Sequence, residues 1–353
     1  MSKRRTGSAR GFSVANGALR VVSRNNGRVQ CIAFITGGSG FIGGAIIEQL
    51  RSEFRFRAMA RSNEAAEIVA ARGAEPVRCS LSNVTPAHIG EAIVAIHCAA
   101  LVAEWARPGA FFETNVIGTD RLLRTARAAG VRKLVHLSTD SVLFTGRPLR
   151  GVDESEPMPT NSPFEYAATK AIAERHVVEA NAPGEFETVV IRPTFVWGPG
   201  DTTILPEIRA LVEDGRFLWI GGGEHVISTT HIKNLVLGVA HAVRGGGGGE
   251  VFFITDETPQ QLRSFLTRYA ATDGILLGNR SVPVLTVKIA SFLTESAWKW
   301  LRPTARPPLT RFAVASLGTD YWIMSDKANR LLGYVPAISI DAGLGELQKL
   351  KAV

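Results

Sequence analysis

Cysteine is scarce in this 353-residue chain, which has only Cys31, Cys79 and Cys98. Three thiols cannot build a disulfide framework. Each falls on a segment expected to be a strand of a buried sheet, so they read as small apolar fillers. No His and Cys cluster has metal-site spacing, so no metal is expected. Long unbroken apolar runs are also missing. The most apolar stretch, residues 283–301, is interrupted by Lys288, Glu295 and Lys299. A membrane-spanning helix needs about 20 predominantly apolar residues, so this segment is not expected to cross a bilayer. Acid is absent from residues 1–30, which carry Lys3, Arg4, Arg5, Arg10, Arg20, Arg24 and Arg28. That stretch supplies seven of the formal net charge of +8, so the rest of the chain is near neutral. With the charge confined to an arm and no nucleic-acid-binding motif present, no nucleic acid partner is expected. The arm, residues 1–28, lacks an apolar stretch and so does not read as a secretory signal. It reads as a disordered tail, with a targeting segment or an upstream translation start as alternatives. A cytoplasmic location is expected.

What is present is more specific. Tyr166 and Lys170 lie four residues apart in an expected helix and so share one face. A phenol beside an ammonium favours phenolate. At roughly 4 Å and an effective dielectric near 20 the attraction is about 4 kcal/mol. The pair alone occurs on many surface helices by chance. The helix start is marked by Ser162 as cap, Pro163 in the first turn and Glu165 completing Ser-x-x-Glu. Ala173 and Val177 continue the same face, which places the pair toward the interior.

The apolar run from Val29 to Thr36 leads into Gly37-Gly38-Ser39-Gly40-Phe41-Ile42-Gly43, and an apolar helical pattern follows through Ile46, Ile47 and Leu50. Strand, glycine turn and helix in this order suit a dinucleotide. The glycines permit a tight turn, close approach to pyrophosphate and close helix–strand packing. The helix start offers unpaired N–H groups to the phosphates. The next strand ends at Arg61-Ser62, with no acid before Glu64. A cation there suits a 2′-phosphate, which favours NADP(H) over NAD(H).

Strands are expected near 31–36, 55–60, 75–79, 94–98, 133–138 and 187–192, with a return strand Val251 to Thr255 after a helix around Asn234 to Val243. Alternation with helices gives an α/β fold with a doubly wound parallel sheet. The dinucleotide domain is expected over 29–192, rejoined by 229–255. A smaller C-terminal substrate lobe is expected from 193–228 and 256–353. The run Gly245 to Gly249 lies between helix and strand, the wrong order for a phosphate loop. His231 reads as structural. The segment 283–301 forms an amphipathic helix that lies on a membrane, walls an apolar pocket or packs as an ordinary core helix. Arg302-Pro303 and Arg306-Pro307-Pro308 break it. Trp298, Trp300 and Trp322 are candidates to line a hydrophobic substrate site.

Thr36 to Gly43, His97-Cys98-Ala99-Ala100, Asn115-Val116-Ile117-Gly118-Thr119, Leu137-Ser138-Thr139-Asp140-Ser141-Val142 and Tyr166-x-x-x-Lys170 together resemble an extended short-chain dehydrogenase/reductase from about residue 30 to 255. Ile191-Arg192-Pro193 through Asp201 and Ser228 through Leu235 resemble its 3β-hydroxysteroid dehydrogenase and sterol-carboxylate dehydrogenase branch. The resemblance implies a Rossmann-like fold and a set of roles. Thr139 bonds the substrate oxygen, Tyr166 exchanges the proton, and Lys170 lowers the Tyr166 pKa and holds the nicotinamide ribose. Gly37, Ser39, Gly40, Phe41, Ile42 and Gly43 meet the pyrophosphate. Ala99 and Ala100 border the cofactor, and Pro193 and Val196 meet the carboxamide. Asn115 either braces a helix and a relay water or is purely structural. Two departures are visible. Ser80, before Leu81, stands where the family usually has an adenine-contacting Asp, and Thr139 stands where Ser is commoner.

The implied activity is NAD(P)-dependent interconversion of a secondary alcohol and a ketone on a bulky apolar molecule, a steroid, sterol or related lipid. Decarboxylation follows where a carboxyl sits beside the new ketone. The alternatives are a nucleotide-sugar epimerase or dehydratase and a non-enzymatic dinucleotide-sensing protein. The expected partners are a hydrophobic small molecule, a membrane surface met through 283–301, and a second copy of the chain.

Overall fold

The computed structural model describes residues 31–301 and 305–351. The basic arm and the Arg302-Pro303 helix breaker lie outside them. Seven parallel strands form the central sheet: β1 Cys31–Thr36, β2 Phe54–Ala60, β3 Glu75–Arg78, β4 Val94–His97, β5 Lys133–Leu137, β6 Glu187–Pro193 and β7 Val251–Ile254. Their order is β7-β6-β5-β4-β1-β2-β3, so the direction of winding reverses between β1 and β4. Ligands of such sheets bind outside the strand ends at this reversal.

Side chains alternate across β1 and bury both faces. Ala33 and Ile35 meet Ile46 and Ile47 of α1 (Phe41–Leu50) and Leu235 and Val239 of a later helix, Ile232–Arg244. Phe34 points the other way, into a cluster with Leu122, Leu123 and Val177. Full burial of a side chain like Phe34 contributes about 1.5–3 kcal/mol. A sheet covered on both faces needs such continuous apolar strands, which is why they were readable in the sequence. Cys31 lies on β1, but Cys79 and Cys98 sit one residue beyond β3 and β4 rather than on them; none of the three forms a disulfide among the described residues.

A third cluster joins Trp197, Ile208, Trp219, Phe265, Tyr269, Ile340 and Leu344. A four-stranded sheet orders Gln260–Gln261, Val226–Ile227, Tyr321–Ile323 and Leu149–Val152. Leu149–Val152, placed by sequence inside the dinucleotide segment, pairs instead with Tyr321–Ile323 of the tail. The tail also divides, since Ala328, Leu332 and Tyr334 return to the main core. Both departures are long-range pairings that local periodicity does not encode.

Asp256 ties these parts together. Its buried carboxylate accepts from Trp197 Nε1 (2.8 Å), Thr229 Oγ1 (2.7 Å), the His231 backbone N–H (2.8 Å) and Asn234 Nδ2 (2.7 Å). Asn234 Oδ1 accepts in turn from the N–H groups of Ala337 and Ile338, both at 2.9 Å. His231 caps its helix by accepting from Lys233 N–H and meets Trp197 edge-on with ring centroids 4.7 Å apart, a structural role.

The glycine turn is set by contact. A Cβ on Gly43 would lie 2.3 Å from the Gly37 carbonyl oxygen, so the α1 start is pressed against the turn. Gly43→Ala is expected to cost about 1–3 kcal/mol of stability through overpacking. It should also weaken nicotinamide dinucleotide binding; thermal unfolding and fluorescence titration measure the two effects.

Candidate active site

The dinucleotide side of the site is mostly backbone. Gly37 has φ +72°, and a Cβ there would lie 2.8 Å from the Ala99 nitrogen, so the loops after β1 and β4 touch and only glycine fits. Ala99 N–H is held by Thr36 Oγ1 at 3.1 Å. Gly40 occupies the N-cap of α1 and supplies no capping side chain. The first-turn N–H groups at Phe41, Ile42 and Gly43 therefore point outward with no intrahelical acceptor, as a pyrophosphate requires. Ser39 is partly exposed beside them. The residues present fit a dinucleotide.

Arg72 was missed by sequence reading. Its guanidinium donates to the carbonyls of Gly38 (2.7 Å) and Gly40 (2.8 Å) and pairs with Glu48 (3.3 Å). It also fills the space over Gly44 that a Cβ would claim. No local motif signals it, because the contact spans more than thirty residues.

Arg61 is exposed just past β2, and Ser62 caps the following helix by accepting from Ala65 N–H. The Ser80 hydroxyl is engaged in its own turn with Ser82 Oγ (2.7 Å) and Asn83 Oδ1 (3.1 Å). Leu81 is buried against Gly118. Pro193 ends β6, and Val196 lies on Phe195–Trp197, which pairs in parallel with Thr229–His231.

Thr139 lies two residues past β5 in an extended conformation, and a short helical turn, Asp140–Leu143, begins after it. Its hydroxyl bonds Asp140 Oδ1 at 3.1 Å and the Tyr166 phenol. Tyr166 and Lys170 lie on the helix Glu165–Glu179. That helix does not start as expected. Phe164 is its N-cap residue, while Ser162 Oγ donates to the Phe144 carbonyl (2.8 Å) and accepts from Phe164 N–H. The Phe164 ring is drawn 5.4 Å from both Phe144 and Phe312, which holds its backbone extended and delays the helix.

The Lys170 amine is also placed differently from expectation. It donates to the Leu137 carbonyl at 2.7 Å and lies 3.3 Å from His136 Nε2. Burial pulls its pKa down to about 8. In this arrangement the Tyr166 phenol is not depressed. Burial pushes it up; the hydrogen bond with Thr139 lowers it, and the negative charge of Asp140 raises it further. Tyr166 is thus held as a proton donor. Asp140 itself is pushed up to about 6, chiefly by burial. Beneath Lys170, burial and the lysine charge hold His97 and His136 neutral.

Behind the reacting groups lies a buried ion pair. Arg192 meets Glu174 through Nη2 at 2.5 Å and Nε at 3.1 Å, and Ser138 Oγ donates to Glu174 at 2.5 Å. Asn115 accepts from Leu101 N–H (2.8 Å) and donates to Leu101 O (3.2 Å) and Thr169 Oγ1 (3.3 Å), bracing the loop after β4 against the Tyr166 helix.

The apolar wall comes from phenylalanines. Phe312 and Phe111 flank the Tyr166 ring at 6.2 and 6.5 Å, and Phe144 stacks with Phe164 and Tyr321 beyond them. The tryptophans are placed elsewhere. Trp300 is 90% exposed, Trp322 lies against Gly151, and Trp298 is partly buried. Phe312 comes from the tail, so nothing local to Tyr166 announced it.

With this geometry in hand, comparison with known proteins is informative. Residues 34–284 match the 3-beta hydroxysteroid dehydrogenase/isomerase family. The chain belongs to this family. A relative from Stigmatella aurantiaca, named 4-hydroxy-2-methyl-3-oxo-4-farnesyl-3,4-dihydroquinoline-1-oxide ketoreductase, is 42% identical over 90% of this chain and 95% of its own. A Dictyostelium discoideum sterol-4-alpha-carboxylate 3-dehydrogenase, decarboxylating, is 31% identical over 89% of this chain and 99% of its own. Among solved structures, UDP-glucuronic acid 4-epimerase from Bacillus cereus in complex with NAD superposes with a TM-score of 0.68 at 19% identity, covering 91% of this chain and 100% of that chain. At that identity the likeness is one of fold. As a member of the 3-beta hydroxysteroid dehydrogenase family, the protein is an NAD(P)-dependent oxidoreductase.

Lys170 makes a pH-dependent contribution with a definite sign. Its folded pKa of about 8 lies below the ordinary 10.5. Below pH 8 the folded and unfolded chains both carry its charge, and the burial cost is fully present. Between pH 8 and 10.5 the folded chain has released the proton that the unfolded chain retains, so rising pH stabilises the fold. The stability of the wild-type protein minus that of Lys170→Met should therefore increase from pH 8 to 10.5. Denaturant unfolding of the two proteins across that range measures it.

Proposed function

We propose that the protein interconverts a secondary alcohol and a ketone on a bulky apolar substrate, sterol-like or another polycyclic or isoprenoid lipid, and that it prefers NADP(H). The observation that carries the substrate class is the ring of Phe111, Phe144, Phe164, Phe312 and Tyr321 around the Tyr166–Thr139 pair. A sugar nucleotide would need polar groups in that wall. The names of the farnesylquinoline ketoreductase and the sterol-carboxylate dehydrogenase support the same class. Where the oxidised substrate holds a carboxyl beside its ketone, carbon dioxide leaves without a further catalytic group.

The bound nicotinamide donates or accepts the hydride. Everything else falls to the chain. Thr139 O–H turns to the substrate oxygen, and Tyr166, held protonated, delivers its proton there during reduction. In oxidation Tyr166 receives that proton, and the Lys170 ammonium would favour the phenolate that must first form once it leaves the Leu137 carbonyl for the phenol. Gly37, Ser39, Gly40, Phe41, Ile42 and Gly43 hold the pyrophosphate; Ala99, Ala100, Pro193 and Val196 border the nicotinamide half, and Ser80 and Leu81 the adenine. Arg61 is exposed at the end of β2 with no acid before Glu64, which supports a 2′-phosphate partner.

A nicotinamide absorbance assay in both directions tests this, with sterols, prenylated quinoline ketones and nucleotide sugars offered alongside both cofactors. Turnover confined to nucleotide sugars would overturn the substrate class. Tyr166→Phe should retain cofactor binding and lose 10² to 10⁴ in turnover, about the scale of general acid catalysis; an unchanged rate would remove Tyr166 from the chemistry. Arg61→Ala should raise the Kd of NADPH at least tenfold more than that of NADH. Equal effects would leave no case for NADP.

A further inference from the structure

Asp140 carries a charge that the proton transfer through Thr139 and Tyr166 does not use. Its Oδ1 accepts from Thr139 Oγ1 (3.1 Å) and Ser141 Oγ (3.4 Å). Among the described residues no side chain donates to its Oδ2. The cap of the turn Asp140–Leu143 is Thr139, whose hydroxyl accepts from Ser141 N–H at 3.2 Å, so the carboxyl does not serve as one. One side of this turn is open. Asp140, Ser141 and Tyr166 are partly exposed, while Ser138, Thr139, Val142 and Leu143 are buried. Burial still pushes the Asp140 carboxyl up to about 6, so the opening is an enclosed recess beside the reacting groups and not outer surface.

The recess is short of donors. Thr139 has one hydroxyl hydrogen, and in the resting site it goes to Asp140. During reduction that hydrogen turns to the substrate oxygen, which leaves the carboxylate with the long bond from Ser141. Tyr321 gives its O–H to the Asp140 backbone carbonyl (2.5 Å). Arg192, whose charge partly offsets that of Asp140, donates to Glu174. The rings that flank Tyr166, Phe111 and Phe312, have no hydrogen bond to give. A carboxylate stripped of its donor in such a place is costly.

We propose that the substrate itself replaces the lost donor: it is an α-hydroxy ketone, with a hydroxyl on the carbon next to the carbonyl, and that hydroxyl donates to Asp140. In the oxidative direction the substrate is then a vicinal diol. This rests on the alcohol–ketone function proposed above and narrows its substrate. Oxygens on adjacent carbons stand about 2.7–3.0 Å apart, at hydrogen-bonding separation. Thr139 Oγ1 and Asp140 Oδ1, 3.1 Å apart, match that spacing, so one holds the carbonyl oxygen while the other takes the hydroxyl. The same charge turns away a carboxylate at that carbon. Two unit charges roughly 5 Å apart at an effective dielectric near 20 repel strongly enough to cost about a hundredfold in binding.

Steady-state reduction of four α-tetralones by the full-length protein tests this, the carbon beside the carbonyl bearing hydrogen, hydroxyl, methoxyl or carboxylate. The hydroxyl compound is expected to have a kcat/KM at least about tenfold above the hydrogen and methoxyl compounds, the scale of one hydrogen bond to a charged group. The gain should lie in KM, because the bond is made alike in ground and transition states. The carboxylate should be the poorest of the four. Asp140→Asn should bring the carboxylate within about threefold of the hydrogen compound, and Asp140→Ala should level the hydroxyl and hydrogen compounds, on the same scales of charge repulsion and hydrogen bonding. Both are ratios within one variant, so a change in absolute rate does not obscure them. Equal treatment of hydroxyl and methoxyl by the wild-type enzyme, or wild-type ratios in both variants, would overturn the inference and leave the alcohol–ketone function standing. Failure to reduce these ketones and the sterol and quinoline ketones alike would overturn both.

Discussion

The buried pairing of Arg192 with Glu174 fixes the geometry on which the rest of the site depends. Arg192 is the penultimate residue of β6, Glu174 lies one turn beyond Lys170, and Ser138, bonded to the same carboxylate, immediately precedes Thr139. One ion pair thereby fastens two strands and the Tyr166 helix together. Two charges out of water persist only when most of their lone pairs and protons are used; here Arg192 Nη1 is left without a partner, and removing one partner of such a pair costs about 3–5 kcal/mol. That demand makes the clamp stiff. Thr139 and Tyr166 inherit their mutual distance from it, while Asn115 brings the loop after β4 into the same register.

Burial then sets the protonation states. The groups around Tyr166 are dry because aromatic rings from three separate stretches close over them. Desolvation is the largest influence keeping Tyr166 protonated, the histidines neutral and Lys170 within reach of neutral pH, with the Asp140 and Lys170 charges adding to the first two. A site of this kind is poised to give a proton to a carbonyl oxygen. Its resting arrangement leaves the lysine on the Leu137 carbonyl rather than on the phenol. The same apolar layer links the reacting centre to the helix Val284–Leu301, since Phe312 flanks Tyr166 and Val314 of the same short helix packs against Val287.

The strands, their order of appearance and the glycine turn were legible because each is a local pattern. An apolar run of five or six residues ending in glycine has few other readings. Tyr166, Lys170 and Thr139 were legible as a set of spaced motifs. Arg72, Phe312 and the Arg192–Glu174 clamp were not, because each acts across a long stretch of chain and looks ordinary in its own segment. The Ser162 cap failed for a related reason: its local pattern was sound, but packing of Phe164 against two distant rings outweighed a single capping bond. The tryptophans failed because bulk and apolarity say nothing about which side of a helix or strand meets the core.

The sequence by itself determined the α/β sheet, the glycine turn and the spacing of Thr139, Tyr166 and Lys170, since period, glycine placement and motif spacing are properties of short segments. Only the tertiary structure decided which rings wall the site, where the Lys170 amine rests, and that the helix Val284–Leu301 turns its apolar side to the solvent. Those outcomes depend on which surfaces compete for burial, and that competition exists only once distant segments have been brought together.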